Sequence, residues 1–594
     1  MNYTPRKNKI TIAITVALIG LAGCSTNEQK KVSKDEDQSE SEEVFVVEFK
    51  AKSDGKIEKP QISELASSAA LADMMVTGSR IRSNEQALAY KRVSPNVSGM
   101  VQRQEVNREN YQHFDDNGIK LVTENPVSTF SIDVDTGAYT NSRRMLNQGQ
   151  LPPKEAVRTE EFINYFSYDY EAPINRDTPF AVHSDMMKSP WAADSYLLQI
   201  GIQAWEPVDE KRPDANLVFL VDVSGSMGSM DKLGLLKKSL SLLTKTLSAN
   251  DRISLVVYAG ASGVVLEPTA GNQTAKIELA LERLSAGGST NGAAGIQLAY
   301  QMAEKSFIEG GINRILLATD GDFNVGTTNF NSLMDLVEEK RQSGIALSTL
   351  GFGSGNYNDH LMEQLADKGN GQYSYIDSVM EAKKVLVDEV NSSLMTVAGD
   401  VKIQLEFNSQ VVSEYRLIGY ENRALAREDF NNDKVDAGDI GAGHTMTAIY
   451  EIRFSDSNNL ALDSLRYSNS TSELKATDIN INELGYLKLR YKDPGETTSH
   501  LIKQVLIKKD LMAKTKQPSA SIRFAAAVAG FAQQLRGGKF LEQFSYQQIA
   551  SLAQASKGDD KRGIRGEFLQ LVSLAELLSQ KKSSSLVAVV AQDE

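Results

Sequence analysis

Residues 217–226 read Leu217-Val218-Phe219-Leu220-Val221-Asp222-Val223-Ser224-Gly225-Ser226. The first five residues are apolar and predict a strand that is buried on both faces. The next five carry a carboxyl, two hydroxyls and a glycine, which are typical of a tight turn rich in oxygen donors. A strand that ends in such a turn indicates an α/β sheet with a polar site at the carboxyl end of its strands.

Three further apolar stretches repeat this strand pattern, at residues 253–258, 315–318 and 347–350. Segments with helical spacing separate them. The first such segment carries a leucine stripe formed by Leu233, Leu236, Leu240, Leu243 and Leu247. This alternation predicts a doubly wound, mostly parallel sheet with helices on both faces. We assign the α/β domain to residues 211–395.

The segment before this domain has its own pattern. Residues 127–133 are rich in β-branched and aromatic side chains, which suits a strand. Residues 155–165 have the apolar spacing of a helix. We therefore predict a small N-terminal domain over residues 116–210.

After residue 400 the pattern changes again. Apolar and polar residues alternate at 401–407 and 486–491, which predicts antiparallel strands with one solvated face. The spacing at 522–535 and 566–578 is helical. We predict a β-rich and then helical domain over residues 396–594. A doubly wound domain can begin and end near one end of its sheet, so we expect the two flanking segments to pack together around an inserted α/β domain.

The start of the chain carries an export pattern. Three basic residues precede an uncharged stretch at 10–23, which is too short to span a bilayer but suits the apolar core of a signal peptide. The stretch ends Leu21-Ala22-Gly23-Cys24, which resembles the bacterial lipobox. The resemblance implies that the signal peptide 1–23 is removed and that Cys24 carries a lipid.

The segment that follows Cys24 predicts a tether. Residues 34–43 contain mainly Lys, Asp, Glu and Ser, and such a composition buries too little apolar surface to fold alone. We assign residues 24–115 to this lipidated, disordered segment. The serine after Cys24, by the same lipoprotein resemblance, implies the outer membrane of a Gram-negative bacterium. We therefore expect a cell-envelope protein that meets the membrane through its lipid anchor only.

The overall composition excludes several classes of site. With 64 basic and 77 acidic residues the formal net charge is −13, which disfavours general affinity for nucleic acid. The single cysteine can form neither an internal disulfide nor a cysteine-rich zinc site. The five histidines show no spacing of a catalytic zinc site. Any bound metal is therefore expected to have oxygen ligands.

Three oxygen donors stand on alternate residues of the turn after the first strand. They are Asp222, Ser224 and Ser226, and Gly225 between them allows the backbone to fold tightly around a hard cation. The alternative is that Asp222 only caps the following helix and that the serines satisfy neighbouring backbone groups.

Two further oxygen donors lie elsewhere in the same domain. Thr290 follows a glycine-rich stretch just before a predicted helix, and Asp320 follows the strand at 315–318. Together with the turn, these residues resemble the metal-ion-dependent adhesion site of von Willebrand factor type A domains. The resemblance implies five ligands: Asp222, Ser224, Ser226, Thr290 and Asp320.

The same resemblance implies an ion and a partner. Mg²⁺ prefers octahedral oxygen coordination and retains waters, so we expect Mg²⁺, with Mn²⁺ or Ca²⁺ as alternatives. Because such a site leaves one coordination position open, an Asp or Glu side chain of a protein partner is expected to complete it.

Similarity to one family extends over most of the chain. The matching stretches are NPVSTFSIDVDTG at 125–137, LPP at 151–153, TDGDFNVG at 319–326 and YRLIGYENR at 415–423. They resemble the bacterial YfbK-type lipoproteins. That resemblance implies an N-terminal associated domain, a type A domain and a characteristic C-terminal domain.

Three other patterns compete for a functional role. Asp135-Thr136-Gly137 matches the aspartic-protease triplet but has no second copy in the chain, so we interpret it as a turn. Residues 351–356 follow a strand and are rich in glycine, yet Asn356 replaces the third glycine of a dinucleotide-binding motif. Residues 429–439 resemble a calcium loop in which Asp429, Asn431 and Asp433 are the candidate ligands. The alternative for this last stretch is an Asx-rich turn.

These patterns favour a binding module. No nucleophile and base pair is recognisable, so we do not expect an enzyme. The leading hypothesis is cation-dependent capture of a protein partner. The alternative is an envelope scaffold in which the metal is structural and the flanking domains make the contacts. The pattern does not predict an oligomeric state.

Overall fold

The computed structural model describes residues 108–207, 212–321, 330–463 and 481–590. The predicted signal peptide 1–23, Cys24 and the predicted tether up to residue 107 lie outside the described residues. Among the helices of the described ranges, none combines the length and the apolar character that crossing a membrane requires.

The described ranges contain strands and α-helices that we number along the chain. The strands are β1 (Lys120–Leu121), β2 (Val127–Ser131), β3 (Phe180–Lys188), β4 (Tyr196–Ala204), β5 (Ala215–Asp222), β6 (Arg252–Tyr258), β7 (Ser262–Ala270), β8 (Ile312–Thr319), β9 (Ala346–Gly351), β10 (Tyr373–Tyr375), β11 (Thr396–Phe407), β12 (Val412–Ile418), β13 (Ile440–Gly441), β14 (Thr445–Phe454), β15 (Glu483–Lys492) and β16 (Ser499–Ile507). The helices are α1 (Gly137–Asn147), α2 (Thr159–Asn164), α3 (Leu235–Thr244), α4 (Thr274–Glu282), α5 (Gly292–Lys305), α6 (Phe330–Arg341), α7 (Asp359–Lys368), α8 (Val379–Lys383), α9 (Val390–Leu394), α10 (Lys508–Lys514), α11 (Ala520–Leu535), α12 (Tyr546–Ser556) and α13 (Ile564–Val590).

The α/β domain is built on a six-stranded sheet with the order β10-β9-β8-β5-β6-β7. Its strands are parallel except for β7, which pairs antiparallel with β6 at one edge. All eight residues of β5 are buried, because α3, α4 and α8 cover one face of the sheet and α5, α6 and α7 cover the other. The predicted doubly wound, mostly parallel sheet is confirmed, and its four predicted strands correspond to β5, β6, β8 and β9.

Two antiparallel sheets form the flanking structure. One has the order β1-β12-β14-β4-β3, and the other has the order β13-β11-β15-β16 with β2 also paired to β11. Their facing sides share a core in which Phe130, Ile200, Ile403 and Tyr450 are buried. Each sheet contains strands from before and from after the α/β domain, as in the pairs β4–β14 and β2–β11. The prediction that the two flanking segments pack together is therefore confirmed.

A helical layer covers the outer side of the first of these sheets. Residues of α1, α2, α11, α12 and α13 share a second core with Leu197 of β4, Ile418 of β12 and Ile449 of β14. The strand neighbours of these residues, such as Leu198, point into the sandwich core instead. This alternation is the period of two that a sheet packed on both sides requires.

One predicted helix is interrupted. Within residues 155–165 the chain forms a 3₁₀ turn (Lys154–Ala156), and α2 begins only at Thr159. Between them Arg158 is extended, with φ −100° and ψ 112°. This conformation places the Arg158 side chain in a buried ionic network, and the tertiary contacts explain why the helix is shorter than its apolar spacing predicts.

That network joins the flanking structure to the α/β domain. Arg158 is only 1% exposed and contacts Glu161 of α2 as well as Asp359 and Glu363 of α7. Burial raises the pKa of Glu161 to about 7, although the adjacent Arg158 lowers it. Two further arginines make comparable links: Arg143 binds Asp377 and Glu381, and Arg423 binds Asp133, Asp135 and Glu363.

Candidate metal centre

The two predicted aspartate ligands lie at the same edge of the α/β sheet. Strand β5 ends at Asp222, and its parallel neighbour β8 ends at Thr319, one residue before Asp320. The Thr319 hydroxyl donates to Asp222 Oδ2 over 2.7 Å, which links the two strand ends directly. Tyr258, at the end of β6, also donates to Asp222 Oδ2, over 3.3 Å. Three adjacent strand ends therefore converge on this carboxylate.

The turn after β5 brings its hydroxyls together. Asp222 Oδ1 accepts a hydrogen bond of 2.8 Å from the backbone N–H of Ser224. The hydroxyl oxygens of Ser224 and Ser226 lie 3.0 Å apart. The buried side chain of Met227 anchors the 3₁₀ turn that follows (Gly225–Gly228). The three predicted donors of this turn therefore form one cluster.

The loop that carries Thr290 packs against the same turn. The backbone N–H of Gly287 donates to the carbonyl of Val223 over 2.8 Å, and the N–H of Gly225 donates to the carbonyl of Gly288 over 3.0 Å. Gly288 has a φ of 88°, which only glycine adopts without strain. Thr290 follows two residues later, just before α5 begins. The structure therefore places the Thr290 loop beside Asp222, Ser224 and Ser226.

The five predicted donor residues differ in how far they are buried. Asp222 and Asp320 are fully buried and Ser224 is 2% exposed, whereas Ser226 and Thr290 are partly exposed. The pKa of Asp222 is raised to about 6, mainly by burial and to a smaller extent by the neighbouring Asp320, although hydrogen bonds from Ser224 and Thr319 lower it. Every predicted donor is a carboxylate or hydroxyl oxygen, which are the ligands that hard divalent cations prefer. The donor set therefore fits Mg²⁺, with Asp222, Asp320 and Ser224 buried and Ser226 and Thr290 on the side nearer solvent.

The capping alternative explains only part of this geometry. Asp222 does bond the nearby N–H of Ser224, as that alternative expects. However, the regular helix α3 begins only at Leu235, after a π-helical turn (Met230–Gly234), and no side chain caps its first turn. Capping also gives no reason for the contact between Asp222 and Thr319. Helix capping alone therefore does not explain the position of the Asp222 carboxylate.

Two residues of the site were missed by the sequence analysis. Lys232 Nζ lies 2.9 Å from Asp320 Oδ2 and 2.9 Å from Asn356 Oδ1. Asn356 Nδ2 in turn donates to Asp320 Oδ2 over 3.1 Å. The available signal for Asn356 was its position just after β9, because the carboxyl ends of all parallel strands meet at this edge. The glycine-rich stretch 351–356 thus brings Asn356 to the candidate metal centre.

The first described residues hold the loop that carries Asn356. The N–H of Arg108 donates to the carbonyl of Gly355 over 2.8 Å, and the N–H of Asn110 donates to the carbonyl of Tyr357 over 2.9 Å. Glu109 Oε1 accepts from the N–H of Gly355 over 2.9 Å. A segment from outside the α/β domain therefore supports one wall of the site.

The calcium prediction for Asp429, Asn431 and Asp433 is not supported. Asp433 Oδ1 accepts hydrogen bonds from Arg490 Nη2 over 2.9 Å and from the Ser499 hydroxyl over 2.6 Å. The N–H of Lys434 donates to Asn432 Oδ1 over 3.1 Å, which is an Asx turn. In the part of the chain that the structure describes, no three acidic, histidine or cysteine side chains could hold a metal together. The candidate centre around Asp222 is not a group of this kind, because three of its five predicted donors are hydroxyls.

The protease-like triplet has a structural role. Asp135 Oδ1 accepts a hydrogen bond of 2.8 Å from the N–H of Tyr373 in β10, and its other oxygen faces Arg423. A Cβ added at Gly137 would lie 2.1 Å from the Tyr373 ring, so only glycine fits there. The triplet thus leads into α1 and joins this helix to the α/β sheet, so the interpretation as a turn is wrong: Thr136 precedes α1 and Gly137 is its first residue.

Three family models match successive parts of the chain. One described as "von Willebrand factor" matches residues 105–199, and "von Willebrand factor type A domain" matches residues 216–389. One described as "Uncharacterized protein YfbK, C-terminal" matches residues 392–578. A type A domain implies interaction with other proteins, and such domains commonly bind a divalent metal at the adhesion site.

Several known proteins are similar to this chain. "Uncharacterized protein YfbK" from Escherichia coli (strain K12) is 48% identical over 472 residues, which cover 78% of this chain and 81% of that relative. "Inter alpha-trypsin inhibitor, heavy chain 4" from Mus musculus is 28% identical over 212 residues, which cover 34% of this chain and 22% of that relative. A solved structure of "von Willebrand factor type A from Catenulispora acidiphila" is 15% identical, covers 67% of this chain and 91% of that one, and gives a TM-score of 0.37.

The similarity to E. coli YfbK extends over most of both chains, and the type A model and the YfbK C-terminal model match adjacent stretches of this chain. The chain therefore belongs to the YfbK family of proteins with a von Willebrand factor type A domain.

Proposed function

We propose that this protein is a lipid-anchored component of the cell envelope whose type A domain captures a protein partner through a divalent cation. The observation that carries the proposal is the meeting of the turn after β5, the Thr290 loop and the residues after β8 at one edge of the sheet. Asp222, Ser224, Ser226, Thr290 and Asp320 would hold Mg²⁺ there. The bound ion would supply positive charge and an open coordination position.

The partner group is a carboxylate. The partly exposed hydroxyls of Ser226 and Thr290 mark the side from which a partner reaches the ion. Since Mg²⁺ prefers oxygen ligands, an Asp or Glu side chain of a partner protein suits the open position. Ser224 and Ser226 bond each other rather than a base that would activate them, so we propose a binding module and no enzyme.

The envelope location rests on the sequence. The signal-peptide pattern at 1–23 and the lipobox-like ending at Cys24 support a lipid anchor, and the serine after Cys24 supports the outer membrane. The prediction of a disordered tether over 24–115 is wrong for its last residues, because Arg108 and Asn110 are described and donate to the carbonyls of Gly355 and Tyr357, in the loop that carries Asn356.

Site-specific cross-linking in cells tests partner capture. Met230 is 79% exposed and lies in the turn between Ser226 and Lys232, so a photo-reactive residue at this position samples whatever docks at the site. We expect cross-links to a protein partner when Mg²⁺ is present and at least a tenfold loss when a chelator is added. The measurement is the amount of cross-linked product at equal amounts of folded protein.

Matched variants separate the proposal from the scaffold alternative. Asp222→Asn should abolish the cross-links, whereas Asp231→Asn, which removes an exposed carboxylate from the same turn, should leave them unchanged. Cross-links that persist with chelator and with Asp222→Asn would contradict cation-dependent capture. They would instead favour a scaffold in which the metal is structural.

A further inference from the structure

Lys232 is an unusual residue for the interior of a domain. Its side chain is 8% exposed, and its ammonium group lies 2.9 Å from Asp320 Oδ2. Burial of an ammonium group costs free energy unless an opposite charge compensates it, so the burial of Lys232 depends on its ion pair with Asp320. Lys232 therefore shares Asp320 with the ion that the site is proposed to bind.

The surrounding chain is shaped to admit this lysine. Gly353 has a φ of 75°, and a Cβ at this position would lie 2.3 Å from the Cε of Lys232. Only glycine therefore leaves room for the aliphatic part of the lysine to reach the site. Asn356 completes the arrangement, because it accepts from Lys232 Nζ and donates to Asp320 Oδ2. Lys232, Asn356 and Asp320 form a closed hydrogen-bonded triangle.

The net charge of the site follows from the charges of three side chains, the metal ion and the partner group. The two carboxylates of Asp222 and Asp320 count as −2 and the Lys232 ammonium, paired with Asp320 over 2.9 Å, counts as +1, so these three side chains sum to −1. A divalent cation raises the sum to +1, and one carboxylate from a partner then brings it to zero. Without the lysine the metal-loaded site is already neutral before any partner arrives. The lysine therefore gives the loaded site the charge that a single carboxylate neutralises.

We infer that Lys232 sets the ligand preference of this site, by keeping the metal-loaded form cationic so that it selects a monoanionic carboxylate. This inference rests on the proposed function of the metal centre. The same positive charge repels the metal ion, so the lysine weakens metal binding while it strengthens carboxylate binding. Its removal shifts the two affinities in opposite directions, whereas loss of a purely structural contact would weaken both.

The test measures both affinities on the full chain. Mn²⁺ binding is followed by electron paramagnetic resonance, and acetate binding to the Mn²⁺-loaded protein is followed by the relaxation of water protons, at constant ionic strength. For Lys232→Gln we expect about tenfold tighter Mn²⁺ binding and about tenfold weaker acetate binding. Lys238→Gln removes the same charge from an exposed position of α3 and should change neither affinity more than about twofold.

The possible results distinguish failure of this inference from failure of the proposed function. If wild-type protein binds no Mn²⁺, the proposed metal centre fails and the inference fails with it. If the wild type binds Mn²⁺ and acetate but Lys232→Gln leaves both affinities unchanged, or shifts both in one direction, only the inference is overturned. Lys232→Met, which removes the charge but keeps an unbranched apolar side chain, replaces the Gln variant if thermal unfolding shows that Gln disrupts the fold.

Discussion

The Asp222→Asn variant is expected to bind Mg²⁺ at least about a hundredfold more weakly than the wild-type protein. Asp222 is fully buried at the point where β5, β6 and β8 end, and it supplies one of the two carboxylates of the proposed centre. Asparagine has the same shape but carries no charge, so the loss reports the electrostatic contribution of the carboxylate. Isothermal titration calorimetry with Mg²⁺ measures the affinity.

The fold should survive this change. An amide oxygen at position 222 still accepts from the N–H of Ser224, but the amide nitrogen cannot accept from the Thr319 and Tyr258 hydroxyls, which must reorient. Removal of a buried charge offsets this loss, because it relieves the desolvation that contributes most to the raised pKa of Asp222, about 6. The thermal midpoint without metal should therefore not fall by more than a few degrees. Asp231→Asn is the matched control and should retain wild-type affinity. An Asp222→Asn variant that binds Mg²⁺ as tightly as the wild type would exclude Asp222 as a ligand.

A second large effect concerns stability. Arg158→Gln is expected to lower the free energy of unfolding by about 3–5 kcal/mol at neutral pH, because a broken buried ion pair leaves uncompensated charge. Three carboxylates depend on this arginine, from Glu161 in α2 and from Asp359 and Glu363 in α7. Urea unfolding measures the change. Arg283→Gln, at an exposed position after α4, is the control and should change stability by less than about 0.5 kcal/mol.

The loss should depend on pH in a defined direction. Burial raises the pKa of Glu161 to about 7 and also raises that of Glu363, and Arg158 lowers both. Without Arg158 their folded-state pKa values rise further above the unfolded values, so the folded variant takes up protons at low pH. Its stability is then retained below the unfolded pKa and lost as pH rises through the folded pKa. The destabilisation should be small near pH 5 and largest near pH 8, and a pH-independent loss would contradict this account.

The strands and donors of the α/β domain were predictable for physical reasons. Strands covered on both faces are continuously apolar, so β5 and β8 stand out in the sequence. Each predicted donor follows a strand or precedes a helix, and parallel strands bring their carboxyl ends to one edge. Local pattern and topology therefore agree at Asp222 and Asp320, which the structure places side by side.

The supporting residues of the site were not predictable in the same way. A lysine beside a leucine stripe normally faces solvent, but the π-helical turn Met230–Gly234 directs Lys232 inward. Asn356 was considered only as a departure from a nucleotide-binding pattern, and its position after β9 was not used. The calcium-like spacing at Asp433 did not reveal that Arg490 of β15 and Ser499 of β16 donate hydrogen bonds to its carboxylate. In each case a contact distant in sequence determines the role.

The shared sheets of the flanking structure also lay beyond local pattern. Alternating residues predicted strands at 401–407 and 486–491, but not that β11 pairs with β2 from before the inserted domain. Partner choice depends on which apolar faces meet in the folded chain, as between Phe130 and Ile403. The insertion hypothesis succeeded because the ends of a doubly wound domain lie close together.

The most direct test of the central claim is anomalous diffraction from crystals of the protein grown with Mn²⁺. The account predicts one strong peak per chain, within coordination distance of the Ser224 and Ser226 hydroxyls and in contact with Thr290 or a water bound to it. A peak at another position, for example beside Asp433, or no peak in this cluster at saturating Mn²⁺, would contradict the assignment of these oxygens to a metal centre.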